Sequence, residues 1–177
     1  PVGRVDHRHA LGDEPVHRRG GARLRRGGQG LGQARGSARA QHLVDRYGRE
    51  RVARWDFEVW NEPNLEVFWS GTQQEWLHLY DVTAAALKSV DVRLAVGGPS
   101  SAAAGWVDDL LAHCRVSGSP VDFVSTHTYG SPPLDLRPTL ARHGFERARI
   151  LWTEWGVTPR HFDPINDSVF SGEFLLR

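Results

Sequence analysis

Apolar and polar residues alternate along Trp55-Asp56-Phe57-Glu58-Val59-Trp60, the two-residue period of a strand with unlike faces. Similar runs start near Arg93, Val121 and Arg149, and stretches of helical period lie between them, so the chain reads as successive strand-helix units. Thr72-Gln73-Gln74-Glu75 has the form of a capping box and predicts a helix to about Val90, with Trp76, Leu79, Tyr80, Thr83 and Leu87 on one side. That spacing assigns Trp76 and Tyr80 to the core. A second helix fits Ala104 to Arg115, stopped by Gly118, and a shorter one follows Pro138, which suits a first helical position. Ala40 to Tyr47 reads as a helix ended by Gly48, and Asp167 to Arg177 as the start of a last one. Gly97-Gly98-Pro99 reads as a turn from strand toward helix, since it lacks the Lys-Ser/Thr ending of a phosphate loop.

Two of the strand runs deliver a glutamate at their exit. The first leads into Asn61-Glu62-Pro63; the other, Ile150-Leu151-Trp152-Thr153, leads into Glu154, 92 residues after Glu62. Hydrolysing a glycosidic bond with retention needs one carboxyl to protonate the leaving oxygen and a second, about 5–5.5 Å away, to attack the anomeric carbon. Strand ends facing one another across a barrel mouth can hold that spacing. Trp60 beside Glu62, and Trp152 and Trp155 around Glu154, offer apolar walls and flat faces for stacking a sugar. A lone glutamate at a strand end more often pairs with an arginine, but a matched pair with Asn-Glu-Pro argues for chemistry. Asp56 and Glu58 alternate with Phe57 and Val59 and therefore face the barrel interior, with ion pairing their expected role, as for Asp122.

The string Phe57-Glu58-Val59-Trp60-Asn61-Glu62-Pro63-Asn64-Leu65, followed by Phe68-Trp69, resembles the acid/base motif of glycoside hydrolase family 39, the β-xylosidase and α-L-iduronidase family of (β/α)8 barrels. Asp122-Phe123-Val124-Ser125-Thr126-His127-Thr128-Tyr129 and Trp152-Thr153-Glu154-Trp155 are similar to its sixth-strand and seventh-strand motifs, and the likeness runs from about residue 40 to about residue 165. The resemblance implies that Glu62 is the acid/base and Glu154 the nucleophile. It implies that Asn61 binds the sugar 2-hydroxyl, that His127 and Tyr129 line the cleft with Tyr129 close to Glu154, and that Trp69 and Trp155 join the substrate-binding set. β-Xylosidase is the leading expectation; α-L-iduronidase, a related barrel endoglycosidase, and an inactive or non-catalytic carbohydrate-binding remnant are the alternatives. The expected partner is a carbohydrate, such as a xylo-oligosaccharide, and no metal or organic cofactor is implied. A complete barrel takes about 250 residues and eight strands. Four strand runs in 177 residues therefore predict an α/β fold that is a partial (β/α)8 TIM barrel, holding strands four to seven.

Composition divides the chain. Residues 1–38 together with Arg39 hold nine arginines, nine glycines and three histidines but no Phe, Tyr or Trp, whereas all 17 aromatics lie from Tyr47 onward. This opening carries a formal +6 against −5 for the remainder, beneath an overall +1. It lacks the apolar residues to build a core, so 1–38 is expected to be irregular and 39–177 to be the barrel domain. No aromatic interleaves with the arginines, which argues against nucleic acid as the partner. With no methionine, one lysine against 21 arginines and Pro1 at the start, the opening reads as an out-of-frame stretch of GC-rich DNA. His7, His9 and His17 are read as chance members of that biased segment and not as a metal site. Cys114 is the one cysteine, expected as a small buried residue, and no run approaches the roughly 20 apolar residues of a membrane span. The sequence leaves the compartment open.

Overall fold

The computed structural model describes residues 28–160 and 162–176; the Arg/Gly-rich stretch before residue 28, with His7, His9 and His17, lies outside them. The elements follow in chain order as α1 (Gly28–Tyr47), α2 (Arg49–Val52), β1 (Asp56–Glu58), α3 (Gln73–Val90), β2 (Ala95–Ala102), α4 (Val107–Ser117), β3 (Phe123–Tyr129), α5 (Arg137–His143), β4 (Arg149–Gly156) and α6 (Val169–Leu175), with a 3-10 turn at Pro164–Asp167 before the last. The four strands form one sheet in the order β1-β2-β3-β4, every pair parallel. This is a partial (β/α)8 barrel.

The capping box at Thr72 is formed in both directions, the Thr72 hydroxyl accepting from the Glu75 amide and the Glu75 carboxylate from the Thr72 amide. Trp76 and Tyr80 are fully buried in the cluster between α1, α3 and the outer faces of β1 and β2, as their spacing predicted. A second cluster joins Val107 and Leu111 of α4, Val124 of β3 and Leu136 and Leu140 around α5. Cys114 is buried, and burial pushes its thiol up to about 12.

The concave face is tied across its width. Arg149, at the foot of β4, pairs with Asp56 at the foot of β1, and Thr153 Oγ1 donates to Glu58 Oε1 at 3.2 Å. The outermost strands of the sheet are thus linked to each other across the two between them, so the sheet is curled as in a barrel. Asp122 instead accepts from Lys88 Nζ and the Val96 amide, each at 2.7 Å.

The structure corrects several boundaries. α1 begins at Gly28 and not at Ala40, running unbroken across the expected division between residues 38 and 39. Its small residues allow a close approach to α3: a Cβ on Gly36 would meet Ala86 Cβ at 2.8 Å, and Ser37 Oγ lies 3.0 Å from Ser89 Oγ. Gly97-Gly98-Pro99 is not a turn but the middle of β2, because two small residues are what the packed centre of the sheet admits. A Cβ on Gly97 would lie 2.2 Å from the Phe123 carbonyl oxygen. α4 starts at Val107 after Ala103, Ala104 and Trp106 have each taken positive φ, three residues later than the apolar pattern indicated. α5 starts at Arg137, which places Pro138 second in the helix. Among the described residues no helix is long and apolar enough to cross a membrane.

Candidate active site

The β1 ladder ends at Glu58, after which Val59 still donates to Gly97 O at 3.0 Å. Trp60 (φ 72) and Glu62 (φ 43) then turn through left-handed backbone, a strain of about 1–3 kcal/mol per residue that persists only where the surroundings hold it. Here β2 holds it. The Glu62 amide donates to Ser100 O at 2.8 Å, and Asn64 acts as a substitute strand end, its side chain bonding both the amide and the carbonyl of Ala102 at 3.0 Å. The Glu62 side chain is thereby turned inward, 12% exposed, with Oε1 2.8 Å from His127 Nδ1.

Glu154 reaches the same imidazole from the other side. The β3–β4 register slips between Thr126 and His127, so Glu154, and not Thr153, stands opposite His127. Its Oε2 lies 3.4 Å from His127 Nδ1 and accepts the Tyr129 hydroxyl at 2.8 Å. Burial, reinforced by this bond to Glu154, pushes the Tyr129 phenol up to about 12. His127 itself is 1 % exposed, and its Nε2 lies 3.0 Å from Ser100 Oγ. One imidazole nitrogen therefore faces both glutamates and the other faces a serine.

The structure brings together Glu62, Glu154, His127, Tyr129 and, through a 3.4 Å contact between Ser100 Oγ and its Oδ1, Asn61. Asn61 is exposed at the mouth. Trp69 stands on the Glu62 side, its Nε1 donating to Thr72 O at 3.0 Å and its ring meeting Trp60 edge-on at 5.4 Å. The tryptophans around Glu154 do not form the expected wall: strand alternation sends Trp152 into the cluster under α4 and α5, and Trp155 packs on Phe174 of α6 at 6.3 Å. Trp155 does share a cavity of about 250 Å³ with Tyr129 and Gly156. Ser100 was not foreseen, because a serine after Gly-Gly-Pro carries no chemical signature of its own.

A carboxylate oxygen from each glutamate and a ring nitrogen of His127 lie within 4.8 Å of one another, which among the described residues is the one grouping with the spacing of a metal site. The same proximity makes them a candidate proton-sharing set, with one imidazole nitrogen between two carboxyl groups and a phenol donating to one of them. All of these groups stand at the carboxyl-terminal ends of parallel strands or just beyond, the rim on which (β/α)8 enzymes carry their chemistry.

That class is narrowed by comparison with known proteins. The chain belongs to the glycosyl hydrolases family 39, whose model matches residues 36–172. A β-xylosidase of Caldicellulosiruptor saccharolyticus is 38% identical over 161 residues, covering 78% of this chain and 32% of its own length. Human α-L-iduronidase is 31% identical over 112 residues, 54% of this chain and 17% of its own. Among solved structures, a monomeric β-xylosidase from Caulobacter crescentus CB15 superposes with a TM-score of 0.76 at 39% identity, over 83% of this chain and 35% of that one. The family 39 enzyme from Xanthomonas axonopodis pv. citri gives 0.76 at 34% identity, over 84% and 34%. The chain spans about a third of the length of the β-xylosidases it matches.

Proposed function

We propose that this chain carries the catalytic rim of a retaining β-xylosidase, with Glu62 as acid/base and Glu154 as nucleophile. One observation carries the reading: oxygens of the two glutamates approach within 4.8 Å around a shared imidazole. Retention requires carboxyl groups about 5–5.5 Å apart, whereas inversion separates them by about 6.5–9.5 Å to admit a water. Glu62, buried beneath the rim against His127, is suited to hand a proton to the leaving oxygen. Glu154, with 42% of its side chain exposed and its Oε2 held by Tyr129, is suited to attack the anomeric carbon. Water activated by Glu62 as a carboxylate then releases the sugar. The preference for a xyloside over an iduronide rests on the relatives, since β-xylosidases match more of the chain at higher identity than α-L-iduronidases do.

The test uses the barrel completed with the remaining strands of a family relative. With an activated aryl xyloside, whose leaving group needs no proton, Glu62→Gln should release a burst of phenol as the glycosyl-enzyme accumulates, and Glu154→Gln should release none. Equal residual rates in the two variants would overturn the assigned roles, and an inverted product would overturn the mechanism.

A further inference from the structure

Ser100 stands at the junction of three components of the site. It is fully buried, with φ 53, and its amide donates to Ser125 Oγ at 3.0 Å. Its carbonyl accepts the Glu62 amide, and its hydroxyl lies between His127 Nε2 at 3.0 Å and Asn61 Oδ1 at 3.4 Å. A serine hydroxyl has one proton to donate. That proton can satisfy the imidazole or the amide, but not both.

We infer that Ser100 is the positioning residue of the site, its hydroxyl donating to His127 Nε2 and so anchoring the ring with its proton on Nδ1, where it faces both glutamates. Which ring nitrogen of a neutral histidine is protonated follows from the hydrogen bond the other one makes. With Nε2 engaged as an acceptor, Nδ1–H donates to Glu62 Oε1 at 2.8 Å and comes within 3.4 Å of Glu154 Oε2. The opposite tautomer would aim a lone pair at two carboxyl groups. The same choice leaves Asn61 Oδ1 free of the serine proton and able to accept from a ligand hydroxyl. The groups facing His127 are Glu62 from the β1 loop, Glu154 from β4 and Ser100 from β2, with Tyr129 of β3 bonded to Glu154. Each strand of the sheet, directly or through the loop that follows it, therefore contributes to fixing one proton.

The inference rests on the reading of Glu62 and Glu154 as a carboxyl pair, but its readout needs no turnover. In the full 177-residue chain labelled with 15N at its nine histidines, the His127 ring is identified by the signals lost in His127→Gln. Long-range 1H–15N spectra at neutral pH should show Nδ1 protonated and Nε2 in the acceptor range. Ser100→Ala should move Nε2 from the position of a hydrogen-bonded acceptor toward that of an unbonded lone pair, and Ser100→Thr, which keeps the hydroxyl, should restore the original pattern. A wild-type spectrum with Nε2 protonated, or with the averaged pattern of free histidine, overturns the inference, as does a His127 spectrum unmoved in Ser100→Ala. If the Nε2 signal shifts as described while the two glutamine variants turn over alike, the proposed function fails and the role of Ser100 stands.

Discussion

Burial and the bond to Glu154 keep the Tyr129 phenol protonated well into the alkaline range. Its folded value near 12 lies above the ordinary 10, so the stability its phenol contributes is fully present below about 10 and is lost as pH rises through about 12. Tyrosinate absorbance from this residue should emerge only near pH 12, and emergence at 10 would contradict its place against Glu154. A hydrogen bond to a charged group is worth about 1.5–3 kcal/mol. Tyr129→Phe in the completed barrel should accordingly lower kcat/KM by roughly 10- to 100-fold, read by steady-state xyloside hydrolysis; an unchanged rate would remove Tyr129 from the site. At this scale the sequence revealed the groups whose chemistry is distinctive. Glutamates at strand exits and a histidine and tyrosine two apart on one strand are recognisable because proton transfer needs those side chains. Ser100 was illegible for the opposite reason: its role comes from its left-handed backbone and from what lies 3 Å away, neither of which its letter encodes. The placing of Trp155 against Phe174 was not legible either, because the sequence marks it only as next to Glu154, while strand alternation points it to the other face.

The elements were legible where a local signal sets them. The Thr72 cap is one such signal, and Thr72→Ala should cost about 1 kcal/mol, measured as a lowered denaturation midpoint with α3 retained. Gly118, which takes φ 77 at the end of α4, is another. Where packing decides, the letters misled. Gly-Gly-Pro is ordinary turn chemistry, yet at the centre of the sheet the absence of a side chain is what brings β2 against β3. Gly97→Ala should force those strands apart at a cost of about 1–3 kcal/mol, whereas the same change at a true turn with negative φ would be nearly neutral. The α4–α5 seam adds a pH-dependent component. Asp108 accepts from His143 and Arg142, which hold its carboxyl below the usual aspartate value. The stability it supplies is therefore present above the unfolded aspartate value, about 3.9, and is lost as pH falls below it. Being exposed, it should be worth only a few tenths of a kcal/mol. Asp108→Asn should therefore lower the melting temperature slightly near neutral pH, where the contribution is complete, and flatten the acid limb of a melting series.

For the whole molecule, the sheet has an unpaired outer edge on β1 and another on β4 among the described residues. Beside β1 an open cavity of about 890 Å³ is lined by Gly36, Ala40, Leu43, Phe57 and Leu87. Such an apolar opening should bind a hydrophobic dye, and a partner that supplies four further strands should displace the dye and raise the melting temperature. A second copy of this chain fits poorly. α1 already flanks β1 and α6 flanks β4, so closing two copies into one ring would bring two helices to each seam where a barrel places one. Sedimentation should therefore show no discrete dimer that loses dye binding; such a dimer would contradict the helix arrangement. The overall class was legible because four similar units repeat, and the curl of the sheet was not, because nothing in the period of β1 or β4 says that their feet will meet. That meeting has a mechanical consequence. Arg149 and Asp56 act as the tie-beam of an arch, fixing the span at the springing line so that the opening above keeps its width without a keystone. The gap between Glu62 and Glu154 is then gauged from below, and Arg149→Met should let the crown spread, lengthening the Glu62–Glu154 distance while every group at the rim is still present.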